Sequence, residues 1–241
     1  MEKAKRRRGW LSSFFVGTIV LSAVGCATIT GSGKVVSTPV HVSSFSRLQV
    51  SNAFEVNVSF GDQEAVFLHV DDNVTGHLDV GVSNGTLHVG LKSRTSVRNA
   101  TLKADVTAKS LLSIETSGAS KVHLAGELTG QNLKLTASGA SGLDGSVRMD
   151  EVDLSLSGAS NAELSGSASR LLVSGSGASR LDSLQLQASD LVIELSGASE
   201  ATVSVTGTIS AVVSGASNLR YEGSPNFTKK DLSGASTIES I

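Results

Sequence analysis

Ser117-Gly118-Ala119-Ser120 is the stretch that decides the fold, because it returns six more times. The later copies begin at Ser138-Gly139, Ser157-Gly158, Ser176-Gly177, Ser196-Gly197, Ser214-Gly215 and Ser233-Gly234, each followed by Ala-Ser. The intervals are 21, 19, 19, 20, 18 and 19 residues. A period near twenty marks one short supersecondary unit stacked on itself. Apolar residues hold fixed places around each copy. With the first Ser as zero, offsets −5, −3 and −1 are Leu112, Ile114 and Thr116, then Leu133, Leu135 and Ala137, then Val152, Leu154 and Leu156. The series continues with Leu171, Val173 and Gly175, with Leu191, Ile193 and Leu195, and with Ile209, Ala211 and Val213. Offset +5 is apolar as well: Val122, Leu143, Ala162, Leu181, Ala201, Leu219 and Ile238. Alternation at period two is a strand with one buried face. Each unit is therefore expected to be strand, tetrapeptide, second strand and a polar loop that often contains glycine (Gly126, Gly145, Gly166, Gly207).

Such a unit cannot bury its apolar face alone, whereas stacked coils bury a continuous column. The reading is an all-β chain, a β-solenoid over residues 111–241 with coils of 18–21 residues. At about 4.8 Å per coil, the spacing of paired strands, the repeat section is a rod roughly 29 Å long. Thr228 and Lys230 break the apolar pattern before the last copy. That suits a terminal cap, which has to stop further strand addition.

Upstream, residues 40–110 read as successive strands continuous with the solenoid. Arg47–Ser51, Phe54–Phe60, Ala65–Val70, Asp79–Ser83, Thr86–Gly90 and Ala104–Thr107 all alternate. Asn84-Gly85 separates two of them and signals a type I′ hairpin. Asp71-Asp72-Asn73 has the oxygen-bearing side chains to touch calcium, but the Gly-Gly-x-Gly-x-Asp repeats of calcium-binding β-rolls are absent, and the stretch reads as a turn. Residues 26–39, rich in Ser, Thr and Gly, read as a flexible tether that ends at Pro39. The next proline is Pro225, and the proline-free interval suits continuous sheet.

Residues 1–25 read as an export signal. Lys3, Lys5, Arg6, Arg7 and Arg8 form a basic head, and an apolar stretch runs from Trp10 to Val24. The stretch is shorter than the ~20 residues needed to span a bilayer. Small residues lead into Cys26, the single cysteine of the chain. That pattern resembles a lipobox, with Ala23 where Leu is commonest, and makes Cys26 the expected lipidation site. An acyl anchor would hold the protein at a membrane surface without a spanning helix. Ala27, in place of an aspartate, points to the outer membrane. The full chain carries 20 basic and 22 acidic residues; without the signal the balance is 15 to 21, a net of −6. A nucleic-acid surface needs the opposite sign. With one cysteine there is no disulfide framework.

The tetrapeptide has two readings: a ladder of exposed hydroxyls able to meet glycans, or a corner where coils stack closely. The corner is favoured, because Gly supplies unusual backbone angles, Ala fits a narrow gap and Ser satisfies turn groups. Strict alternation would turn Gly and the second Ser inward. Whether the strand runs straight through or a bend resets its phase stays open at this level.

Other chemistry is thin. Carboxylates for a polysaccharide-active enzyme would come from Asp150, Glu151, Asp153 and Glu163, which read as a solvated face. His69, His77 and His88 lack metal-ligand spacing, and His41 and His123 are isolated. No phosphate loop and no nucleophile elbow is present. No catalytic residue, metal or cofactor is expected. Between Gly76 and Leu219 there is no aromatic residue, so sugar stacking is unavailable there; hydrogen-bonded, multivalent contact is still open.

The strand-rich start, the Leu-rich lead-in and the recurring Ser-Gly-Ala-Ser over about residues 40 to 240 resemble the head GIN-domain family of putative autotransporter adhesins, in a lipoprotein-type form. The resemblance implies a right-handed β-helix of the bacterial envelope and implies no catalytic activity. The expectation is a non-enzymatic envelope lipoprotein with an adhesion or surface-interaction role. Its partners would be the membrane through the lipid and a glycan or envelope protein. Alternatives are a polysaccharide-active β-helix enzyme and an assembly component. A groove with convergent ionisable groups would favour the enzyme, a flat Ser/Thr face would favour binding, and an open terminal coil would favour end-on association.

Overall fold

The computed structural model describes residues 28–241, so the signal segment and Cys26 lie outside the described residues. Five long strands carry the repeat: β11 (Lys121–Ala137), β12 (Gly142–Leu156), β13 (Asn161–Gly175), β14 (Arg180–Leu195) and β15 (Glu200–Val213). Their names follow chain order, after β1 (Thr28–Thr30), β2 (Val35–Val40), β3 (Arg47–Val50), β4 (Glu55–Phe60), β5 (Ala65–Asp71), β6 (Leu78–Ser83), β7 (Thr86–Leu91), β8 (Ser96–Arg98), β9 (Leu102–Ala108) and β10 (Ser113–Thr116). The chain closes with β16 (Asn218–Glu222), β17 (Asn226–Leu232) and β18 (Thr237–Ser240). A short 3-10 helix spans Asp72–His77.

β11 to β15 pair in parallel, each one coil above the last, so the molecule is a β-solenoid. Each long strand bends twice and supplies three sides of a coil. The expected polar loops are therefore not loops. The backbone bends while staying in the ladder, helped by glycines with positive φ such as Gly166 (φ 104). Their bends form a third paired side, for example Val147 beside Gly166.

The core follows the expected register. Leu133, Leu135, Ala137, Val152, Leu154, Leu156, Leu171, Val173, Leu191, Ile193, Leu195, Ile209, Ala211 and Val213 are buried. So are Val122, Leu143, Ala162, Leu181, Ala201 and Leu219. Large and small side chains alternate up the +5 column, Val122 under Leu143 under Ala162 under Leu181 under Ala201, which fills space between closely stacked coils. Ile238, in the last coil, is only partly buried, and the marked exception is Leu112. It is 57% exposed and Leu111 is buried in its stead, because regular pairing begins only at Ser113.

The N-terminal segment interlocks with the repeat. β10 lies on β3, and β3 lies on β7; β11 lies on β4, and β4 lies on β9. The chain thus builds its second coil first (β3, β4) and then loops out to the end of the stack. Antiparallel β5 and the β6–β7 hairpin, then β9, close that end before β10 returns. Asn84 and Gly85 have φ of 50° and 73°, as a type I′ turn requires.

The tether expectation is corrected. Residues 28–30 and 35–40 form strands, β1 on β8 and β2 antiparallel on β5. Val36 and Val40 supply the apolar positions that a Ser/Thr/Gly composition hides, and Pro39 is tolerated because β2 is an edge strand, pairing with β5 alone.

Candidate interaction surface

At each corner the tetrapeptide joins the strand before it to the strand after it. The glycine has φ of 72–78° in all seven copies. Gly and Ala point outward, and the second Ser turns in: Ser120, Ser141, Ser160, Ser179, Ser199 and Ser217 are buried. The strict alternation that would have placed Gly inside fails, because the left-handed residue rotates the chain at the tip and restores the inward phase two residues later. Successive corners are hydrogen-bonded to one another. Ala140 donates to the Gly118 carbonyl at 2.7 Å, and Ala159, Ala178, Ala198, Ala216 and Ala235 repeat that bond to the glycine below. The buried hydroxyls serve main-chain oxygens: Ser160 Oγ donates to Ala137 O at 3.1 Å and Ser199 Oγ to Ser196 O at 2.8 Å. Corner and internal Ser ladder thus coexist.

An eighth corner escaped the sequence reading. Ser51-Asn52-Ala53-Phe54 lies beneath Ser117-Gly-Ala-Ser120, with Val50 paired to Thr116 and Glu55 to Lys121. Asn52 and Ala53 take φ of 61° and 63°. Phe54 fills the place of the inward Ser and is fully buried. Ser120 Oγ, directly above a phenyl ring position instead of a serine, has no hydrogen-bond partner. The usable signal was Ser-x-Ala flanked by Leu48, Val50 and Val56.

Two outward faces flank the corners. On the face before the corner, Thr136, Ser155 and Ser174 stand on adjacent coils. With Ser157, Ser176, Ser196 and Ser214, the first serines of four copies, they line a shallow groove of about 320 Å³. Ser176, Ser196 and Ser214 donate to the coil below at 3.5, 3.5 and 3.1 Å, which leaves oxygen lone pairs facing outward. The motif therefore contributes to a surface as well as to a corner.

The face after the corner is charged. Lys103 pairs with Glu55 at 2.7 Å, Arg180 with Glu200 at 2.6 Å and Arg220 with Glu200 at 3.5 Å, all from neighbouring coils. The Lys103 hydrogen bond holds the Glu55 carboxyl below its usual value, against the opposing effect of burial, and Glu55 in turn raises Lys103. His123, hydrogen-bonded to Asp144, lines a groove of about 480 Å³ with Glu163 and Asp182. These ionisable groups come one per coil, as a row. Among the described residues no three His, Cys, Asp or Glu side chains gather closely enough to hold a metal.

The sequence carboxylates do not converge. Glu151 lies 4.0 Å from Arg170 and Asp153 lies 3.9 Å from Lys134, whereas Glu163 is on the opposite side of the corner. A polar chain unforeseen from sequence links β2, β5 and β9: Ser37 Oγ to His69 Nδ1 at 2.8 Å, and His69 Nε2 to Asp105 Oδ2 at 2.9 Å. The order resembles a hydrolase triad. The carboxylate side chain is 55% exposed, however, and that chemistry buries the orienting carboxylate.

Residues 44–225 match the family model described as putative auto-transporter adhesin, head GIN domain. The chain belongs to this family. No curated protein matches it. A crystal structure of a putative adhesin from Bacteroides fragilis superimposes with a TM-score of 0.82 at 24% identity, covering 88% of this chain and 100% of that one. A putative lipid binding protein from Parabacteroides distasonis gives 0.73 at 17% identity, covering 89% and 100%. A putative adhesin from Parabacteroides merdae gives 0.73 at 19%, covering 89% and 99%. At these identities the likeness establishes a shared solenoid fold for the GIN-domain chain.

Proposed function

We propose that this GIN-domain protein is a non-enzymatic adhesin, anchored in the cell envelope through an acylated Cys26 and sorted to the outer membrane. Adhesion is the role suggested by the family description and by two of the adhesin-described neighbours. The observation that carries the binding mode is the shallow hydroxyl-lined groove, with Thr136, Ser155 and Ser174 in register beside the corner serines. Hydroxyls repeated at the coil spacing of about 4.8 Å form a rigid hydrogen-bonding array. A ligand of repeating polar units, such as a glycan, would engage several weak contacts at once. The test is a screen of glycans and extracellular-matrix components with the purified full-length protein. Saturable binding to a polyhydroxylated ligand supports the reading, and binding to none of them counts against it.

The second reading, a polysaccharide-active enzyme, draws on the groove with His123, Asp144, Glu163 and Asp182. It requires product release from a polysaccharide that disappears in Asp144→Asn. The linear spacing of the four groups favours contact with an extended ligand over chemistry at one bond.

A further inference from the structure

The first coil turns its corner differently from the others. β7 pairs with β3 and β9 with β4, so the stretch from Gly90 to Leu102 stands where the next coil has only Ser51–Phe54. This longer corner carries basic residues. From Val80 to Ala104 the chain has no acidic residue, and it holds Lys92, Arg94, Arg98 and Lys103. Lys103 is taken by Glu55. Lys92, Arg94 and Arg98 are exposed, and none of them makes an ion pair among the described residues. The carboxylates of this end do not cancel them. Asp71 is buried, Asp72 pairs with Lys34 at 3.3 Å, and Asp79, exposed opposite Gly90, is a single charge against three.

Local structure holds these side chains out. Thr95 N donates to Lys92 O at 3.1 Å, which closes a tight turn with Ser93 and Arg94 at its tip. Arg94 has φ of 65°, a conformation that glycine or asparagine adopts more readily. Past the turn, β8 pairs in parallel with β1, Thr28 beside Ser96 and Thr30 beside Arg98. Ile29 and Val97 pack on the core, so Thr28, Thr30, Ser96 and Arg98 face outward. Arg98 Nε donates to Thr30 Oγ1 at 2.8 Å. Cys26 precedes Thr28 by two residues, a reach of at most about 7 Å. The chain therefore enters the fold on the basic corner itself.

We propose that this corner is the membrane-facing surface of the protein, with Lys92, Arg94 and Arg98 against the phosphate headgroups of anionic phospholipids. The inference rests on the Cys26 anchor proposed above and adds which face that anchor presents to the bilayer. A count of charges hides the patch, because the chain without residues 1–25 is acidic overall. A lipid surface, however, reads charges within a Debye length, about 8 Å at physiological salt. Basic residues beside the anchor therefore count for more than acidic ones further up the stack, and they add to the hold of an acyl chain on an anionic surface. The hydroxyl groove begins three coils further on, at Thr136, about 14 Å along the stack, and is left clear of the lipid.

The experiment is amide hydrogen–deuterium exchange, read by mass spectrometry, on the full-length protein in vesicles of phosphatidylcholine alone and of phosphatidylcholine mixed with phosphatidylglycerol. With phosphatidylglycerol present, residues 92–99 should exchange at least about threefold more slowly, and the difference should vanish in about 1 M salt, where the Debye length is about 3 Å. The last corner, residues 233–236, should exchange alike in both vesicles. The double variant Arg94→Gly, Arg98→Gln should lose the difference. Because it leaves residues 1–25 untouched, basic side chains retained there cannot account for the loss. If the double variant does not fold, Arg94→Gly alone decides, since glycine suits the φ of Arg94, and the difference should then fall by about half or more. Equal exchange of residues 92–99 in the two vesicles, or a difference that survives the variants, would overturn this face. The acyl mass of the same sample tests the anchor separately. A phosphatidylglycerol-dependent difference without acyl mass removes the anchor and keeps the face, whereas acyl mass without the difference keeps the anchor and removes the face.

Discussion

Gly158 shows how a single residue sets the coil spacing. Its φ is 73°, and a Cβ would stand 2.7 Å from the Gly139 carbonyl oxygen, which already accepts the Ala159 N–H at 2.7 Å. Gly158→Ala forces both a left-handed alanine and a steric push against the coil below. We expect a loss of about 1–3 kcal/mol in urea unfolding, at unchanged denaturant slope. A variant as stable as wild type would contradict the corner geometry. Leu154 sits at 0% exposure in the middle of the column, so Leu154→Asp should abolish the cooperative unfolding transition altogether. The column was legible in the sequence because each of its residues lies on a straight stretch of strand, where parity decides the face. The corner was only half legible. Parity placed the second Ser inside, correctly, but also placed Gly inside, and no count of residues reports a positive φ. Leu112 departs for a different reason: parity holds only within a strand, and the strand that defines it begins one residue later, at Ser113.

At the scale of elements, the two ends of the stack are treated differently. The N-terminal end is closed by antiparallel β2, β5 and β6, and no local pattern in residues 40–110 signals that the chain builds its second coil before its first. The Asn52-Ala53 corner was hidden because Asn can stand in for Gly at positive φ. The C-terminal end is open: β17 pairs only with β15, and β18 only with β16. Lys229, Lys230 and Asp231 crowd this edge, and Lys230 lies above Ala211, at the head of the buried column. Exposed charge on an edge strand, here with the Lys230 ammonium 5.0 Å from the Phe227 ring centroid, discourages addition of another strand. Replacing Lys229 and Lys230 by Thr and Val should therefore raise the mass measured by light scattering at a concentration where wild type is unchanged. An unaltered mass would show that the charges are not what guards the edge. Between coils, the Glu55–Lys103 pair makes a pH-dependent contribution of known sign. Glu55 titrates below 4.5 in the fold, so its share is present above the ordinary carboxylate range and is lost as the pH falls through the lowered value. Lys103 titrates above 10.5, so its share is present below the ordinary lysine range and is lost as the pH rises through the raised value. Both side chains are more than half exposed, so the effect is small. The difference in melting midpoint between wild type and Glu55→Gln should shrink toward zero in acid.

For the whole molecule, the long parallel strands make a stiff body with flat polar faces, and residues 28–40 are part of that body. An anchor at Cys26 would then hold the solenoid close to the membrane, with little slack between lipid and fold. Cys26→Ser should shift the protein from the membrane to the soluble fraction; the same fractionation for both proteins, with no acyl mass on wild type, would sink the lipoprotein proposal. Architecture was readable from the repeat alone, whereas the ligand face was not, because the residues that compose it are ordinary serines and threonines until register brings them side by side. The proposed adhesion depends on that face. The measurement that tests it most directly is the affinity of the best ligand from the glycan and matrix screen for wild type and for the triple variant Thr136→Ala, Ser155→Ala, Ser174→Ala, at matched thermal stability. We predict that the triple variant binds at least about tenfold more weakly, a loss of about 1.4 kcal/mol spread over three hydrogen-bonding positions. Equal affinity in the two proteins would contradict the account and move the binding surface off the hydroxyl face.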